Sequence, residues 1–325
     1  MKAVFRLLLL VTLVFAGVAA YAAYRAIDIY ESAGPLQSQT IVTIEPGEGP
    51  RSIASRLIAA DVIENRIVFL GALRLTGDGA RLKAGEFRFE PGMSMQQAIA
   101  HIVSGKTVVR RLTIPEGRTT RQILDLITAA PALEGEVQQV GEGELLPETY
   151  HYSQGDKRWE LVRRMRQAMR ATVKELWPGR DRSIPVKTME EAIILASIVE
   201  KETGVPSERA RVAGVFVNRL RKGMRLQSDP TVIYAVTGGQ SDLGRPISKA
   251  DLAIDSPFNT YRVTGLPPQP IANPGRAAIA AVLNPAKTND LYFVADGSGG
   301  HAFAETLAEH NRNVRRWRKL QKDAK

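Results

Sequence analysis

The sequence predicts an α+β fold in which an N-terminal membrane helix precedes a small α+β subdomain and a larger mixed α/β domain. Three observations predict it. An uncharged apolar run covers residues 7–24. A strand–glycine–helix pattern then occurs three times before residue 130. From residue 158 the apolar spacing turns helical, until a proline-rich segment and a hairpin-and-helix pattern close the chain.

Lys2 and Arg6 stand ahead of the apolar run, whose length approaches the roughly 20 residues that cross the hydrocarbon core of a bilayer. The positive side stays inside, so residues 1–6 form a cytoplasmic tail and the rest lies outside. A cleavable signal peptide is the alternative, since the small residues between Val18 and Ala23 suit a peptidase. The run's length and its lack of a polar break favour a retained helix. On both readings the bulk of the chain is exported. Residues 25–40, of mixed polarity, read as a tether.

Next come the three repeats. Val42-Thr43-Ile44 leads to Gly47 and a helix from about Ser52; Phe87-Arg88-Phe89 leads to Gly92 and a helix over 96–102; Leu112-Thr113-Ile114 leads to Gly117 and a helix over 120–127. Each alternates with period two, turns at a glycine, and resumes at helical spacing. A strand followed by a short helix is similar to LysM modules, which bind N-acetylglucosamine chains through shallow grooves; a plain structural layer is the other reading. Residues 41–107 are thus a LysM-like subdomain and 108–157 a connecting α+β segment, in which the polar stretch 136–150 reads as a link.

Residues 158–325 form the larger domain. A helix near 158–177 ends before Pro178-Gly179. Thr188 with Glu191 three positions later has the form of a capping box, opening a helix that runs through Glu200 and stops at Gly204, with Pro206 beyond. Another helix covers 207–222, and the short connection folds these two back on each other. Asp229-Pro230 and Asn273-Pro274 each read as an N-cap with a first-turn proline. Between them, residues 255–275 hold five prolines, and so long a loop in a compact domain is usually functional. A strand over 291–295, a glycine turn, a second strand with His301 and Phe303, and a basic helix finish the chain.

The chain has no cysteine, which excludes disulfides, thiolate metal sites and a thiol nucleophile. Its net charge of +10 favours anionic partners in general. The excess is dispersed in groups such as Arg163, Arg164, Arg166 and Arg315, Arg316, Arg318, which reads as solvated helix faces. No zinc-finger or RNA-motif spacing points to nucleic acid. The histidines at 101, 151, 301 and 310 lack helix-face metal spacing, and no dinucleotide, Walker or nucleophile-elbow pattern is present. Neither a metal nor a cofactor is expected.

The helix ending in Glu200 is apolar on every face through two turns, the mark of a buried helix. Glu200 shares its stripe with Ile193, Ala196 and Ser197. Burial and the negative end of the helix dipole both disfavour the carboxylate and raise its pKa, as a general acid near neutral pH requires. The alternative is that Glu200 marks where the helix meets water or an ion-pair partner. Glu202 lies roughly 200° around the helix and cannot share one face with it.

The text around Glu200 is more specific. Leu195-Ala196-Ser197-Ile198-Val199-Glu200-Lys201-Glu202-Thr203, Val215-Phe216-Val217-Asn218-Arg219-Leu220, and Met224-Arg225-Leu226-Gln227-Ser228-Asp229-Pro230-Thr231-Val232-Ile233-Tyr234 resemble the MltG (YceG-like) family of endolytic murein transglycosylases. Asn259-Thr260-Tyr261, Gly265-Leu266-Pro267-Pro268, Ile271-Ala272-Asn273-Pro274-Gly275, Asn284-Pro285-Ala286, the segment 291–297 and Gly300-His301-Ala302-Phe303 continue the match in the family's order. It is strongest over 191–311. The chain departs at Glu144-Leu145-Leu146, where relatives place aromatics.

The resemblance implies a membrane helix, a LysM-like subdomain and a catalytic domain over 158–325, in the bacterial inner membrane with the catalytic part periplasmic. It puts the family's essential glutamate at Glu200. The implied lyase cuts the MurNAc–GlcNAc bond of nascent strands and leaves 1,6-anhydro-MurNAc ends, ending strand elongation. Its partners are then peptidoglycan strands, inner-membrane lipid around 7–24, and penicillin-binding synthases with division or elongation proteins. The sugar-facing candidates are Asn218, Gln227, Ser228, Asp229, Asn259, Thr260, Asn273 and His301, which offer polar groups, and Tyr234, Tyr261 and Phe258, which offer flat faces. For each, packing or capping is the competing role. The alternative functions are a muramidase, with Asp229 or Glu208 as second carboxylate, and a non-catalytic peptidoglycan-binding scaffold.

Overall fold

The apolar run of residues 7–24 lies inside a longer helix, α1, spanning Lys2–Glu31. In this computed structural model, which describes residues 2–323, the helix does not stop where the tether was expected. Arg25 and Asp28 pair one turn apart at 2.7 Å, and Ile29 and Tyr30 pack on the neighbouring core. Tertiary contact thus extends the helix into polar text. The chain divides into two compact units, the first running to Arg110 with Ser153–Gly155, and the second from Arg111 to Tyr152 and from Asp156 onward.

In the first unit, α1 is followed by β1 (Thr40–Ile44), α2 (Pro50–Ala59), α3 (Arg66–Thr76), β2 (Gly85–Phe89) and α4 (Met95–Ser104). β1 and β2 pair antiparallel with Val42 opposite Phe87. Alternation sends Phe87 and Phe89 inward, fully buried, with Phe69, Ile53 and Leu57. Ser94 and Gln97 form a reciprocal capping box that starts α4. Two of the expected strand–helix pairs are therefore present. α3 was not foreseen. It buries Phe69 and Leu73 but leaves Ile67 82% and Leu75 90% exposed, so its apolar text shows no single face.

The second unit opens with β3 (Arg110–Thr113), α5 (Thr120–Ala129) and β4 (Thr149–Tyr152), β3 pairing with β4. Then come α6 (Arg158–Leu176), α7 (Met189–Glu202), α8 (Arg209–Arg221), α9 (Asp229–Thr237), the short α10 (Lys249–Leu252), α11 (Arg276–Leu283), the hairpin β5 (Tyr292–Ala295) and β6 (His301–Ala304), and α12 (Leu307–Asp323). Sheets among the described residues are two-stranded, so the fold class is α+β, with helices supplying most of the core. α7 is the central helix: Ala192 and Ile194–Val199 are buried, packed by α8 and α11. The adjacent Leu145 and Leu146 enter two different clusters of this unit, so the leucines at the point of departure from the family pattern are interior.

Phe216 is 1% exposed and meets Phe293 edge to face at 5.9 Å. Phe216→Ala is expected to destabilise the second unit by about 3–5 kcal/mol, read as a lower urea midpoint by tryptophan fluorescence, since Trp177 packs on the same cluster.

Candidate active site

Glu200 arrives in the last turn of α7 while the helix is still inside the protein, and only 5% of its side chain is exposed. The N-terminal cap is half of the expected box. Thr188 accepts from the Glu191 N–H at 3.1 Å, but the Glu191 carboxylate takes the Lys187 N–H instead.

Loop 268–275 runs along α7 in the same direction. The Ile271 N–H donates to Ser197 Oγ at 3.0 Å, and the Gly275 N–H donates to Glu200 Oε2 at 2.8 Å. The turn at Pro115–Arg118 covers the same carboxyl: a Cβ at Gly117 would lie 3.5 Å from Glu200 Cγ. The carboxyl end of Glu116 from that turn lies where a Cβ of residue 275 would stand, so a side chain at 275 would displace Glu116 from its place beside Glu200. Arg209 Nη2 lies 3.8 Å from Glu200 Oε1 and 4.0 Å from Glu116 Oε2. The Arg209 Nε is buried and has no partner among the described residues.

Burial pushes the Glu200 pKa above the ordinary carboxylate range, and the nearby Glu116 adds to it. The Gly275 hydrogen bond, Arg209 and Lys201 oppose the rise without cancelling it. The outcome is a carboxyl that keeps its proton to higher pH than a solvated glutamate, with one oxygen held by a backbone donor. Such a group is able to give and take a proton.

Asn273 holds this cover in place. It is fully buried. Its Nδ2 donates to Arg118 O, Thr120 Oγ1 and Glu142 Oε1 at 3.2, 3.0 and 3.0 Å, and its Oδ1 accepts from the Leu145 N–H at 2.8 Å. Its backbone pairs with Gly117 and Arg118. It does not cap α11. Gly275 occupies that position, because the Asn273 side chain is saturated elsewhere.

The other expected site residues separate into groups. Gln227, Ser228, Asp229, Thr260 and Tyr261 gather around Glu202. Ser228 Oγ donates to Glu202 Oε1 at 2.5 Å, and the Ser228 and Gln227 N–H groups donate to Thr260 Oγ1 and Thr260 O. Tyr261 OH donates to Asp229 Oδ1 at 2.6 Å. Asp229 is the first residue of α9 and Ser228 the cap residue, so the expected N-cap role does not hold. Burial pushes the Glu202 pKa up to about 7. Asn218 donates to Thr288 O and Asp290 O, and the buried Asn259 donates to Leu252 O and Ile254 O. His301 Nδ1 meets Glu208 Oε2 at 2.7 Å. The Asn218 Nδ2 and the side-chain polar groups of Asn259, Thr260 and Asn273 are thus engaged within the fold.

Tyr234 remains a half-buried aromatic surface. It lies 4.9 Å from the Phe258 ring, and its hydroxyl stands between Glu142 and Gln269. Beside it is a cleft of about 640 Å³ lined by Glu142, Ile193, Gln269 and Pro270 among others, a volume suited to a few sugar rings. The cleft reaches α7 at Met189–Ile194; Glu200 does not line it and lies about two turns beyond Ile193 on the same stripe. Sequence reasoning missed Glu116, Glu142 and Arg209, for which the only local signals were a Pro115-Glu116-Gly117 turn and isolated charges.

Asn273→Ala strands several buried donors and acceptors. A loss of roughly 2–4 kcal/mol in stability is expected, measurable by thermal melting, together with faster amide exchange at Gly275.

The sequence profile of the YceG-like family matches residues 42–316. The chain is 33% identical over 304 residues to a Bacillus subtilis protein named endolytic murein transglycosylase, covering 83% of this chain and 82% of that one. A Streptococcus pneumoniae protein of the same name is 29% identical over 324 residues, 84% of this chain and 57% of that longer relative. A crystal structure of a YceG-like protein from Listeria monocytogenes superposes with a TM-score of 0.54 at 30% identity, over 85% of this chain and 99% of the other. The chain belongs to the YceG-like family.

Proposed function

We propose that this chain is an endolytic murein transglycosylase, a lyase in which Glu200 is both acid and base. The observation that carries the residue assignment is the buried Glu200 carboxyl, held by the Gly275 N–H at 2.8 Å and raised in pKa by burial.

Protonated Glu200 gives its proton to the glycosidic oxygen as the bond from MurNAc C1 to that oxygen breaks. The resulting carboxylate takes the proton of the same MurNAc 6-hydroxyl, whose oxygen bonds to C1 and closes the 1,6-anhydro ring. The acid is regenerated and no water is consumed. Because the nucleophile is tethered to the reacting sugar, proximity replaces an activated water and a second carboxylate is not needed. The Gly275 N–H stabilises the carboxylate between the two transfers. Arg209 stands near enough to restrain its charge. Asp229 and Glu208, the second carboxylates of a hydrolase reading, are bonded to Tyr261 and His301, which favours the lyase. Tyr234 and the adjoining cleft are the sugar-facing surface in this reading, with Gln227 and Tyr261 contributing from the Glu202 side.

The proposal extends to location. α1 is long and apolar enough to cross a membrane, and the basic Lys2 and Arg6 orient its N-terminus to the cytoplasm. The second unit then acts on strands near the outer surface of the inner membrane, beside the synthases that make them. The β1–α2 and β2–α4 pairs of the first unit, on the LysM-like reading, contact the glycan.

Glu200→Gln preserves shape and removes the proton. It is expected to lower strand cleavage about 100-fold or more while circular dichroism is unchanged. Mass analysis of released muropeptides should show anhydro ends from the wild type; free reducing ends would instead identify a muramidase. Glu116→Gln removes a charge that raises the Glu200 pKa, so the alkaline limb of kcat/KM should move to lower pH. Arg209→Gln removes an opposing charge and should move that limb to higher pH. Limbs that stay in place in both variants would remove Glu200 from the acid role.

A further inference from the structure

The face of α3 turned away from its own core is apolar. Ile67 and Leu75, 82% and 90% exposed, form one stripe with Gly71 at helical spacing. A groove of about 370 Å³ on one side of this stripe includes Ala26, Ile27 and Tyr30 of α1 in its wall. A second groove, of about 650 Å³, lies on the side of Pro50 and Arg51 of α2. Exposed aliphatic ridges between apolar grooves mark contact surfaces.

The direction of α1 indicates what covers this one. The helix is unbroken from Lys2 to Glu31, so residues 26–30 lie about 3–9 Å beyond Tyr24 along the axis at 1.5 Å per residue. The headgroup layer outside the hydrocarbon core is roughly 5–8 Å deep on each side. The groove wall shared by α1 and α3 therefore falls at headgroup depth. Ile29 and Tyr30 pack on the core of the first unit, which ties α3 to the anchor. Exposed Arg66 and Arg74 flank the stripe; of the two acids on this part of α1, Asp28 is paired with Arg25 and Glu31 is the last residue of the helix, farthest from Tyr24.

We infer that the outer face of α3 is seated in the headgroup layer of the bilayer that α1 crosses, with Ile67 and Leu75 at the acyl boundary and the arginines on anionic lipid. This contact gives the first unit a second point of membrane attachment and holds it flat on the surface. It rests on the proposal that α1 is a membrane span, and it is separable from it.

The chain has no native cysteine, so single labels are clean. Full-length protein carrying Val14→Cys, Ile67→Cys, Leu75→Cys or Arg88→Cys is labelled with an environment-sensitive fluorophore and reconstituted in phosphatidylcholine vesicles with and without phosphatidylglycerol. Arg88 is an exposed position of β2, directed away from the buried Phe87 and Phe89. Spin-labelled lipids are expected to quench the probe at 14 deeply, and the probes at 67 and 75 at shallow depth by roughly twofold, with the probe at 88 unaffected. Arg74→Glu should weaken quenching at 67 in the anionic vesicles. A quenched probe at 14 with those at 67 and 75 matching 88 overturns the α3 contact and leaves the anchor standing. An unquenched probe at 14 removes the anchor and the contact together. Blue-shifted emission at 67 and 75 without lipid quenching overturns the proposal in favour of a second copy of the chain.

Discussion

The second unit depends on one buried amide. Asn273 joins three segments that are far apart in the chain, the 118–120 turn, the 142–145 stretch and its own proline-stiffened loop. Two of these bonds are fully buried and two partly so, and a buried donor or acceptor left unpaired is costly. The arrangement is therefore close to all-or-none. With it formed, the loop is held along α7, its Gly275 N–H faces Glu200, and the 115–118 turn closes over the carboxyl.

The perturbed carboxyl is a consequence of that closure. Helix α7 buries its last turns against α8 and α11, but a helix end alone leaves a glutamate free to reach water. The cover from 115–118 and 273–275 removes that freedom. Charge is then balanced locally by one backbone donor and by Arg209, against the repulsion of Glu116. On the lyase reading, the same dryness that raises the pKa also keeps competing water from the reacting carbon. The neighbouring Glu202 shows a contrasting solution. Burial raises its pKa too, yet a short Ser228 bond fixes it in a mesh of hydroxyls, as suits a structural group.

Glycines matter at two points for different reasons. Gly117 has φ +73° and turns the chain over Glu200. Gly275 has ordinary dihedrals, and its lack of a side chain leaves room for the Glu116 carboxyl beside Glu200. The one is a conformational requirement and the other makes space for a neighbouring charge.

Periodicity and end signals along the chain determined the membrane-length helix, the strand–helix pairs around Val42 and Phe87, the buried character of α7 and the terminal hairpin, because each is written in residues a few positions apart. The motif around Glu200 also pointed to the family. Proline-based caps misled at Asp229 and Asn273: a capping side chain is available only when no tertiary partner takes it, and both had one. Tertiary structure alone decided that Glu116, Glu142 and Arg209 surround the site, since the charges come from three separate segments and carry no shared spacing. It also decided which polar residues were free. Asn218, Asn259 and Thr260 resemble sugar-binding groups in sequence, yet the fold engages them: the two amide Nδ2 groups serve loop carbonyls, and the Thr260 hydroxyl joins Ser228 and Thr231.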